Sequence, residues 1–266
     1  MKNYKGAVFF DVDGTLIDCA KGINVPSDKT IQAIKQLKEN GYLTILATGR
    51  PMSFVTEELL SLGLEGYIAS NGSYAQIDGE IIFDYPIENV KLTELLEYFD
   101  DNKIDYILEG QKESYVVNIT GGKIREIIDE ANIEEGCFVD KWSRETVKTN
   151  KIVVVVSEEN IYNKVYEKYK EEYAFMKHPG GKSFEMYIGK YTKGYGIEQL
   201  ITKLGISKED TYAFGDGEND IEMFQFVKYG IAMGGHHERL KEHAYDFTEN
   251  VENEGIYEGL KKLKLI

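Results

Sequence analysis

The sequence has few of the features that mark a secreted, membrane-spanning or zinc-stabilised protein. Its 266 residues include only two cysteines, Cys19 and Cys137, which stand far apart and belong to no Cys-x-x-Cys or Cys/His ligand pattern. The longest purely aliphatic run, residues 152–156, is far shorter than a membrane-spanning helix. This usage is typical of a reducing environment, and we expect a cytoplasmic protein.

Positive charge is also scarce. Lysine and arginine total 31 against 46 aspartates and glutamates, which gives a formal net charge of −15. Such a surface repels DNA and anionic bilayers, and no run of basic residues reverses the field, so we predict neither a nucleic-acid nor a membrane partner. An anionic substrate would therefore need a local cation, either a side chain or a metal ion, at its binding site.

Short apolar runs alternate with helical patterns at both ends of the chain. The runs that indicate buried strands are residues 7–10, 43–47, 67–70, 211–214 and 229–233. Between the first two, Ile31, Ile34 and Leu37 form one stripe of a helix that Ser27 can cap. Strands separated by helices predict a parallel sheet with right-handed crossovers. We therefore predict an α/β fold with a doubly wound, Rossmann-like, mostly parallel sheet.

The middle of the chain interrupts this alternation. Asp78-Gly79 between two strand patterns predicts a β-hairpin with a type I′ turn. After it, two or three helical patterns mix with several short strand patterns until the alternation resumes near Thr192. We therefore predict a core made of residues 1–83 and 190–266, and an inserted α+β domain made of residues 84–189.

Four polar motifs share one placement in this predicted fold. Three follow predicted strands and one opens a predicted helix; they are Asp11-Val12-Asp13-Gly14-Thr15, Thr48-Gly49-Arg50, residues 215–220 and Lys193-Gly194. Ligands of open α/β sheets bind beyond the carboxyl ends of the strands. The motifs can therefore converge on one site although they are far apart in sequence.

The acidic residues of these motifs predict a magnesium site. Asp11 and Asp13 are two residues apart near a strand end, and Asp216 and Asp220 bring further oxygen ligands. Hard oxygen donors without histidine or cysteine suit Mg²⁺, which also takes a phosphate oxygen. Taken alone, Asp-x-Asp-Gly would indicate only a capped turn, and the rest of an EF-hand calcium loop is missing.

The remaining motif residues suit a phosphoryl group. The Thr48 hydroxyl and the Gly49 amide can donate to phosphate oxygens, and Lys193 can neutralise charge on the transferring group. Considered singly, Thr48 would be a helix cap and Lys193 a surface lysine. Together they predict a reaction in which the Asp11 carboxylate attacks phosphorus and forms an acyl phosphate. Asp13 would donate a proton to the leaving alcohol and later accept one from water.

These motifs resemble those of the haloacid dehalogenase superfamily. The phrases DVDGT, ATGR, KG and GDGEND stand in that family's order, and Ser70-Asn71-Gly72 with residues 230–234 resemble its Cof-type branch, which carries a type IIB α/β cap. The resemblance implies that Asp13 also gives its backbone carbonyl to Mg²⁺ and that Asn219 lies near the phosphate or Lys193. It also implies that the insert is a cap that closes over the substrate and sets specificity. Gly235 and Glu254-Gly255 depart from the branch's usual pattern.

The leading functional hypothesis is a magnesium-dependent phosphatase that acts on a small phosphorylated metabolite, such as a sugar phosphate, a nucleotide-like phosphate or a phosphorylated cofactor. One alternative is a phosphohexose mutase; such an enzyme holds a second phosphate, usually with arginines, and the predicted cap contains only Arg125 and Arg144. The other is a non-catalytic phosphate-binding regulatory module. We expect a monomer or a small homo-oligomer. His236, His237 and His243 are interpreted as surface residues rather than a metal site.

Overall fold

The computed structural model describes residues 4–120, 122–131, 133–158 and 160–266. Fourteen strands occur in these ranges: β1 (Gly6–Phe10), β2 (Tyr42–Ala47), β3 (Gly66–Ala69), β4 (Tyr74–Ile77), β5 (Glu80–Asp84), β6 (Tyr106–Glu109), β7 (Ser114–Val116), β8 (Phe138–Val139), β9 (Lys151–Val155), β10 (Tyr173–Lys177), β11 (Ser183–Ile188), β12 (Thr211–Gly215), β13 (Tyr229–Ala232) and β14 (Asp246–Phe247). Eight α-helices accompany them: α1 (Asp28–Glu39), α2 (Glu57–Leu60), α3 (Asn89–Asp101), α4 (Gly122–Glu130), α5 (Ile161–Tyr169), α6 (Lys193–Leu204), α7 (Ile221–Phe226) and α8 (Gly255–Lys262).

The chain forms two compact units. The first contains residues 1–49, 55–84 and 191–266, and the second contains residues 50–54 and 85–190. Residues 50–54 group with the second unit, although residues 55–84, which follow them, belong to the first. There, Ser53 donates to the carbonyl of Gly110 at 2.9 Å, and Phe54 packs against Phe138.

The first unit is built on an eight-stranded sheet in the order β14-β13-β12-β1-β2-β3-β4-β5. The strands from β14 to β3 are parallel, and β4 and β5 continue the sheet as antiparallel strands. The mostly parallel, doubly wound core that the sequence predicted is therefore confirmed. Apolar residues of the sheet pack with those of α6 and α7, as Phe9, Ile45 and Ile197 illustrate.

Local signals in the sequence explain several boundaries of the first unit. The Ser27 hydroxyl accepts a hydrogen bond from the Thr30 amide at 3.1 Å and caps α1. Asp78 and Gly79 both have positive φ, 49° and 82°, which is the geometry of the predicted type I′ turn. A short 3₁₀ turn follows Pro51, and α2 begins at Glu57.

The second unit is built on a six-stranded sheet in the order β10-β11-β9-β6-β7-β8. Its strands are antiparallel except that β7 and β8 run parallel. Helices α3 and α5 contribute to one hydrophobic cluster with this sheet, and α4 contributes to another. None of the helices in the described ranges is long and apolar enough to span a bilayer.

Candidate active site

The register of the first sheet brings three polar loops to one edge. Phe10, the last residue of β1, pairs with Leu46 of β2 on one side and with Phe214 of β12 on the other. Because these strands are parallel, the residues that follow them emerge from the same edge. Asp11 follows β1 directly, and its amide donates to the carbonyl of Phe214 at 3.0 Å. The predicted convergence of the motifs after β1 and β12 therefore has its origin in this register.

A buried lysine links two of the predicted carboxylates. Nζ of Lys193 donates to Oδ1 of Asp11 and to Oδ1 of Asp220, both at 2.6 Å. Lys193 is 1% exposed and Asp220 is fully buried, so little water screens the three charges. Lys193 is the first residue of α6, which Thr192 caps by accepting from the Tyr195 amide at 3.2 Å. The bare Gly194 backbone lies so near α7 that a Cβ there would approach the Glu222 carbonyl oxygen to 2.3 Å.

Asp220 also holds the loop that carries Asp216. Its Oδ2 accepts hydrogen bonds from the amides of Asp216 and Gly217, each at 2.9 Å. Both oxygens of Asp220 are thus engaged by protein donors, one with the lysine and one with the loop. The Thr15 hydroxyl donates to Oδ1 of Asp216 at 2.9 Å and connects this loop to the one after β1.

The glycine between Asp13 and Thr15 is a steric requirement of this arrangement. Gly14 has φ +81°, and a Cβ there would lie 2.1 Å from Oδ2 of Asp216. A side chain would therefore be strained in backbone conformation and would collide with the carboxylate.

Burial and mutual repulsion perturb the acidic groups. Burial and the charge of Asp220 raise the pKa of Asp11 well above its ordinary value, although Lys193 opposes the shift. The same two causes raise the pKa of Asp216 to about 7, against the hydrogen bond from Thr15. Burial alone would lower the pKa of Lys193, but the charges of Asp11 and Asp220 outweigh it and raise that pKa. The site therefore carries more negative charge than its lysine balances.

The donor set fits a divalent cation. Asp11, Asp216 and Asp220 each offer a carboxylate oxygen, and these atoms all lie within 4.8 Å of one another. All three are hard oxygen ligands, which Mg²⁺ prefers. A cation among them would relieve the repulsion that raises the pKa values of Asp11 and Asp216, so the residues present fit a magnesium ion.

The other predicted site residues lie in or beside the loop after β2. Thr48 is 1% exposed, and its amide donates to the carbonyl of Ile68 at 2.9 Å. A Cβ built on Gly49 would lie 2.9 Å from Oδ1 of Asn71 and 3.4 Å from Nδ2 of Asn219. The Gly49 backbone thus faces two side-chain amides, and Asn219 belongs to the same loop as Asp216.

The structure places the predicted residues unevenly. Asp11, Lys193, Asp216 and Asp220 form one connected cluster, whereas the side chain of Asp13 is exposed. Asp13 is near enough to Asp216 for its charge to contribute to the raised pKa there. The sequence interpretation gave no role to Thr15, although its hydroxyl orients Asp216; a hydroxyl directly after Asp-Gly was the available signal.

Comparison with known proteins finds relatives that match nearly the whole chain. The model of the haloacid dehalogenase-like hydrolase family matches residues 8–260. YkrA of Bacillus subtilis strain 168, which carries a provisional phosphatase name, is 27% identical over 97% of this chain and 98% of its own length. A crystal structure of a hypothetical protein from Geobacillus kaustophilus HTA426 superimposes with TM-score 0.86 at 31% identity, over 98% of this chain and 99% of the other. The subclass IIB sugar phosphatase BT4131 shares the fold with TM-score 0.81 at 24% identity, over 98% of this chain and 100% of its own.

Proposed function

This chain belongs to the haloacid dehalogenase-like hydrolase family, and we propose that it is a magnesium-dependent phosphatase that hydrolyses a small phosphomonoester through a phospho-aspartate on Asp11. The observation that carries the proposal is the buried Asp11–Lys193–Asp220 cluster, with both lysine contacts at 2.6 Å, beside Asp216. A module that only bound phosphate would not need a buried carboxylate beside the bound phosphate.

Asp11 acts as the nucleophile in this mechanism. Lys193 holds Oδ1, which orients the carboxylate and opposes the rise in its pKa. The other oxygen, Oδ2, attacks phosphorus in line, the bond to the leaving oxygen breaks, and an acyl phosphate forms on Asp11. Water then attacks the phosphorus of that acyl phosphate, which releases inorganic phosphate and restores the carboxylate.

Asp13 moves the protons. Its exposed side chain, two residues from the nucleophile, can exchange protons with the leaving group and with water. It gives a proton to the departing alkoxide in the first step and takes one from the attacking water in the second. Thr48, Gly49 and Asn219 bind the phosphoryl oxygens and keep the group aligned for both displacements.

Asp11, Asp216 and the backbone carbonyl of Asp13 would hold the magnesium ion, with Asp220 beside them. When bound, the ion supplies positive charge that offsets the repulsion between the carboxylate and the phosphate dianion. Asp220 contributes chiefly by fixing Lys193 and the Asp216 loop, because both of its oxygens already accept hydrogen bonds from them.

The substrate in this proposal is a small phosphorylated metabolite, such as a sugar phosphate, a nucleotide-like phosphate or a cofactor phosphate, and the second unit is the cap that determines which ester is accepted. BT4131, which shares the fold, is named a sugar phosphatase. The mutase alternative loses support because Arg144 pairs with Asp100, and Arg125 pairs with Asp129 and Glu135. The cytoplasmic location stays a prediction.

Phosphate release from p-nitrophenyl phosphate tests the proposal, with Mg²⁺ and with chelator. Asp11→Asn removes the nucleophile but keeps the shape, so we expect turnover to fall by at least about 10³-fold, as for loss of other covalent nucleophiles. Asp28→Asn, the same substitution at an exposed position at the start of α1, is the matched control and should retain parent activity. Parent protein that is quenched with acid during turnover should yield a phosphorylated peptide that contains Asp11. Full activity in folded Asp11→Asn would refute the covalent mechanism.

A further inference from the structure

The side-chain amide of Asn71 is buried and has no hydrogen-bond partner among the described residues. It is 2% exposed, and neither Oδ1 nor Nδ2 of its side chain has a protein partner there. Burying an unsatisfied amide destabilises the fold, so such a group normally has a ligand or an ordered water. Neither the mechanism above nor the motif residues account for it.

The backbone around Asn71 is held in an unusual conformation. Ser70, Asn71 and Gly72 have φ values of 48°, 53° and 91°, three successive residues in the left-handed region. Asparagine tolerates left-handed backbone better than most residues, but three such residues in succession persist only where the surroundings hold them. The backbone that carries the Asn71 side chain is therefore fixed by its surroundings.

The turn lies between the loop that carries Thr48 and the start of the helix that carries Lys193. The backbone N–H of Asn71 donates to the carbonyl of Thr48 at 3.2 Å. On the other side, a Cβ on Gly72 would lie 2.0 Å from the carbonyl oxygen of Thr192, the residue that caps the helix of Lys193. A change at this turn would therefore displace both the Thr48 loop and the start of α6.

The side chain of Asn71 reaches the Gly49 backbone. Its Oδ1 lies 2.9 Å from a Cβ built on Gly49, and Nδ2 of Asn219 approaches the same point. A primary amide adds a hydrogen-bond donor without adding charge. That property suits a dianion at a sheet edge where Asp11, Asp216 and Asp220 already supply excess negative charge.

We propose that Asn71 is a further phosphate ligand, whose side-chain Nδ2 donates to a non-bridging oxygen of the phosphoryl group beside Gly49. This inference rests on the proposed function and deepens it. The left-handed turn fixes the amide before the substrate arrives, so no rotamer freedom is lost on binding.

Two substitutions separate the amide from the backbone that carries it. Asn71→Gly removes the side chain but tolerates the positive φ, and Asn71→Asp keeps the shape but replaces the donor with a negative charge. Asp78→Gly is the matched control, because Asp78 is also left-handed, φ 49°, but lies in the β4–β5 turn. Binding of orthovanadate and of inorganic phosphate is measured by calorimetry in the presence of Mg²⁺, beside kcat/KM for p-nitrophenyl phosphate.

We expect Asn71→Gly to lower kcat/KM by about 10²-fold, the effect of losing one oxyanion donor, and to weaken vanadate binding. Asn71→Asp should weaken vanadate binding further, and Asp78→Gly should change neither quantity by more than about 2-fold. Vanadate and phosphate affinities that stay at parent values in both folded Asn71 variants would overturn the inference and leave the amide to an ordered water.

The proposed function can fail separately from this inference. Absence of turnover in the parent would refute the phosphatase, while anion binding would still test the ligand role of Asn71. If the variants do not fold, the side-chain ¹⁵N–¹H signals of Asn71 are followed in the parent during phosphate titration. A shift of these signals that saturates with phosphate supports the inference, and unshifted signals at saturating phosphate contradict it.

Discussion

At the residue scale, a single buried lysine pairs with two carboxylates. Lys193 donates to Asp11 and to Asp220 at 2.6 Å each, with its own side chain fully buried. Taking charges out of water is costly, and only close pairing offsets the cost. The lysine therefore stabilises the folded site, and its loss would leave both aspartates buried without a paired cation.

Lys193→Met should therefore destabilise the protein as well as inactivate it. Removing one partner of a buried ion pair costs about 3–5 kcal/mol, because the remaining charge is left unpaired. Urea unfolding measures the change, and Lys203→Met is the control. Lys203 lies on the same helix but is exposed, so its replacement should change the free energy of unfolding by less than about 0.5 kcal/mol. Equal stabilities of the two variants would show that the cluster contributes little to folding.

At the scale of secondary-structure elements, the second sheet carries a charged cluster of its own. Lys151 of β9 lies 2.9 Å from Glu109 of β6 and 2.5 Å from Glu185 of β11, and its side chain is 3% exposed. His178 reaches the same Glu185 oxygen at 3.3 Å. Burial would raise the pKa of Glu185, but the charges of Lys151 and His178 outweigh it and lower that pKa to about 2. Burial instead dominates at Glu109 and raises its pKa.

Glu185→Gln should lower stability in a pH-dependent way. The folded pKa of about 2 is below the ordinary 4.5, so the carboxylate stabilises the fold above pH 4.5 and loses this effect as pH falls toward 2. At pH 7 we expect a loss of about 3 kcal/mol, as for a broken buried pair. Urea unfolding of parent and variant at descending pH should show the difference narrowing below pH 4.5.

The control for this prediction is Glu167→Gln, which removes an exposed ion pair between α5 and Lys170, the residue that follows this helix, and should cost less than about 1 kcal/mol. A difference between parent and Glu185→Gln that stays constant with pH would contradict the assigned pKa.

The elements that the sequence predicted well are those whose signals are local. The alternation of β1, β2, β12 and β13 with helices was sufficient to predict a doubly wound sheet, because each strand is a short apolar run. Helix α4 and strands β10 and β11 had no separate prediction. Helix α4 is only nine residues long and buries only Ile124 and Ile128, so its signal in the sequence is short. Strand β11 carries the ionised Glu185 on a buried face. The alternation of apolar residues in this strand is therefore hard to recognise from the sequence.

The site was predictable in its composition but not in its connections. The positions of Asp11, Asp216 and Lys193 at strand and helix ends indicated a common edge. That Asp220 would use one oxygen for the lysine and the other for two backbone amides depends on the loop conformation, which no pattern encodes. The unpaired amide of Asn71 likewise depends on three successive left-handed residues in a tertiary context.

At the scale of the whole molecule, both ends of the chain contribute strands to one sheet. Strand β1 lies between β2 and β12, so residues separated by about two hundred positions in sequence pair directly, as Phe10 and Phe214 do. Closing so long a connection costs loop entropy once, and the cost grows slowly with length. An insert of the size of the second unit is therefore tolerated between strands of the same sheet.

The net charge of −15 makes the response of the whole molecule to cations informative. Any salt screens diffuse repulsion, whereas a cation bound among Asp11, Asp216 and Asp220 stabilises only the folded state that brings them together. We expect Mg²⁺ at one hundred times its dissociation constant to raise the free energy of unfolding by about 2.7 kcal/mol, and NaCl of equal ionic strength to have a much smaller effect. Thermal unfolding measures both, and Asp216→Asn should lose the magnesium-specific part. If NaCl stabilises the parent as much as Mg²⁺ does, the carboxylates act only through diffuse charge and the site holds no specific cation.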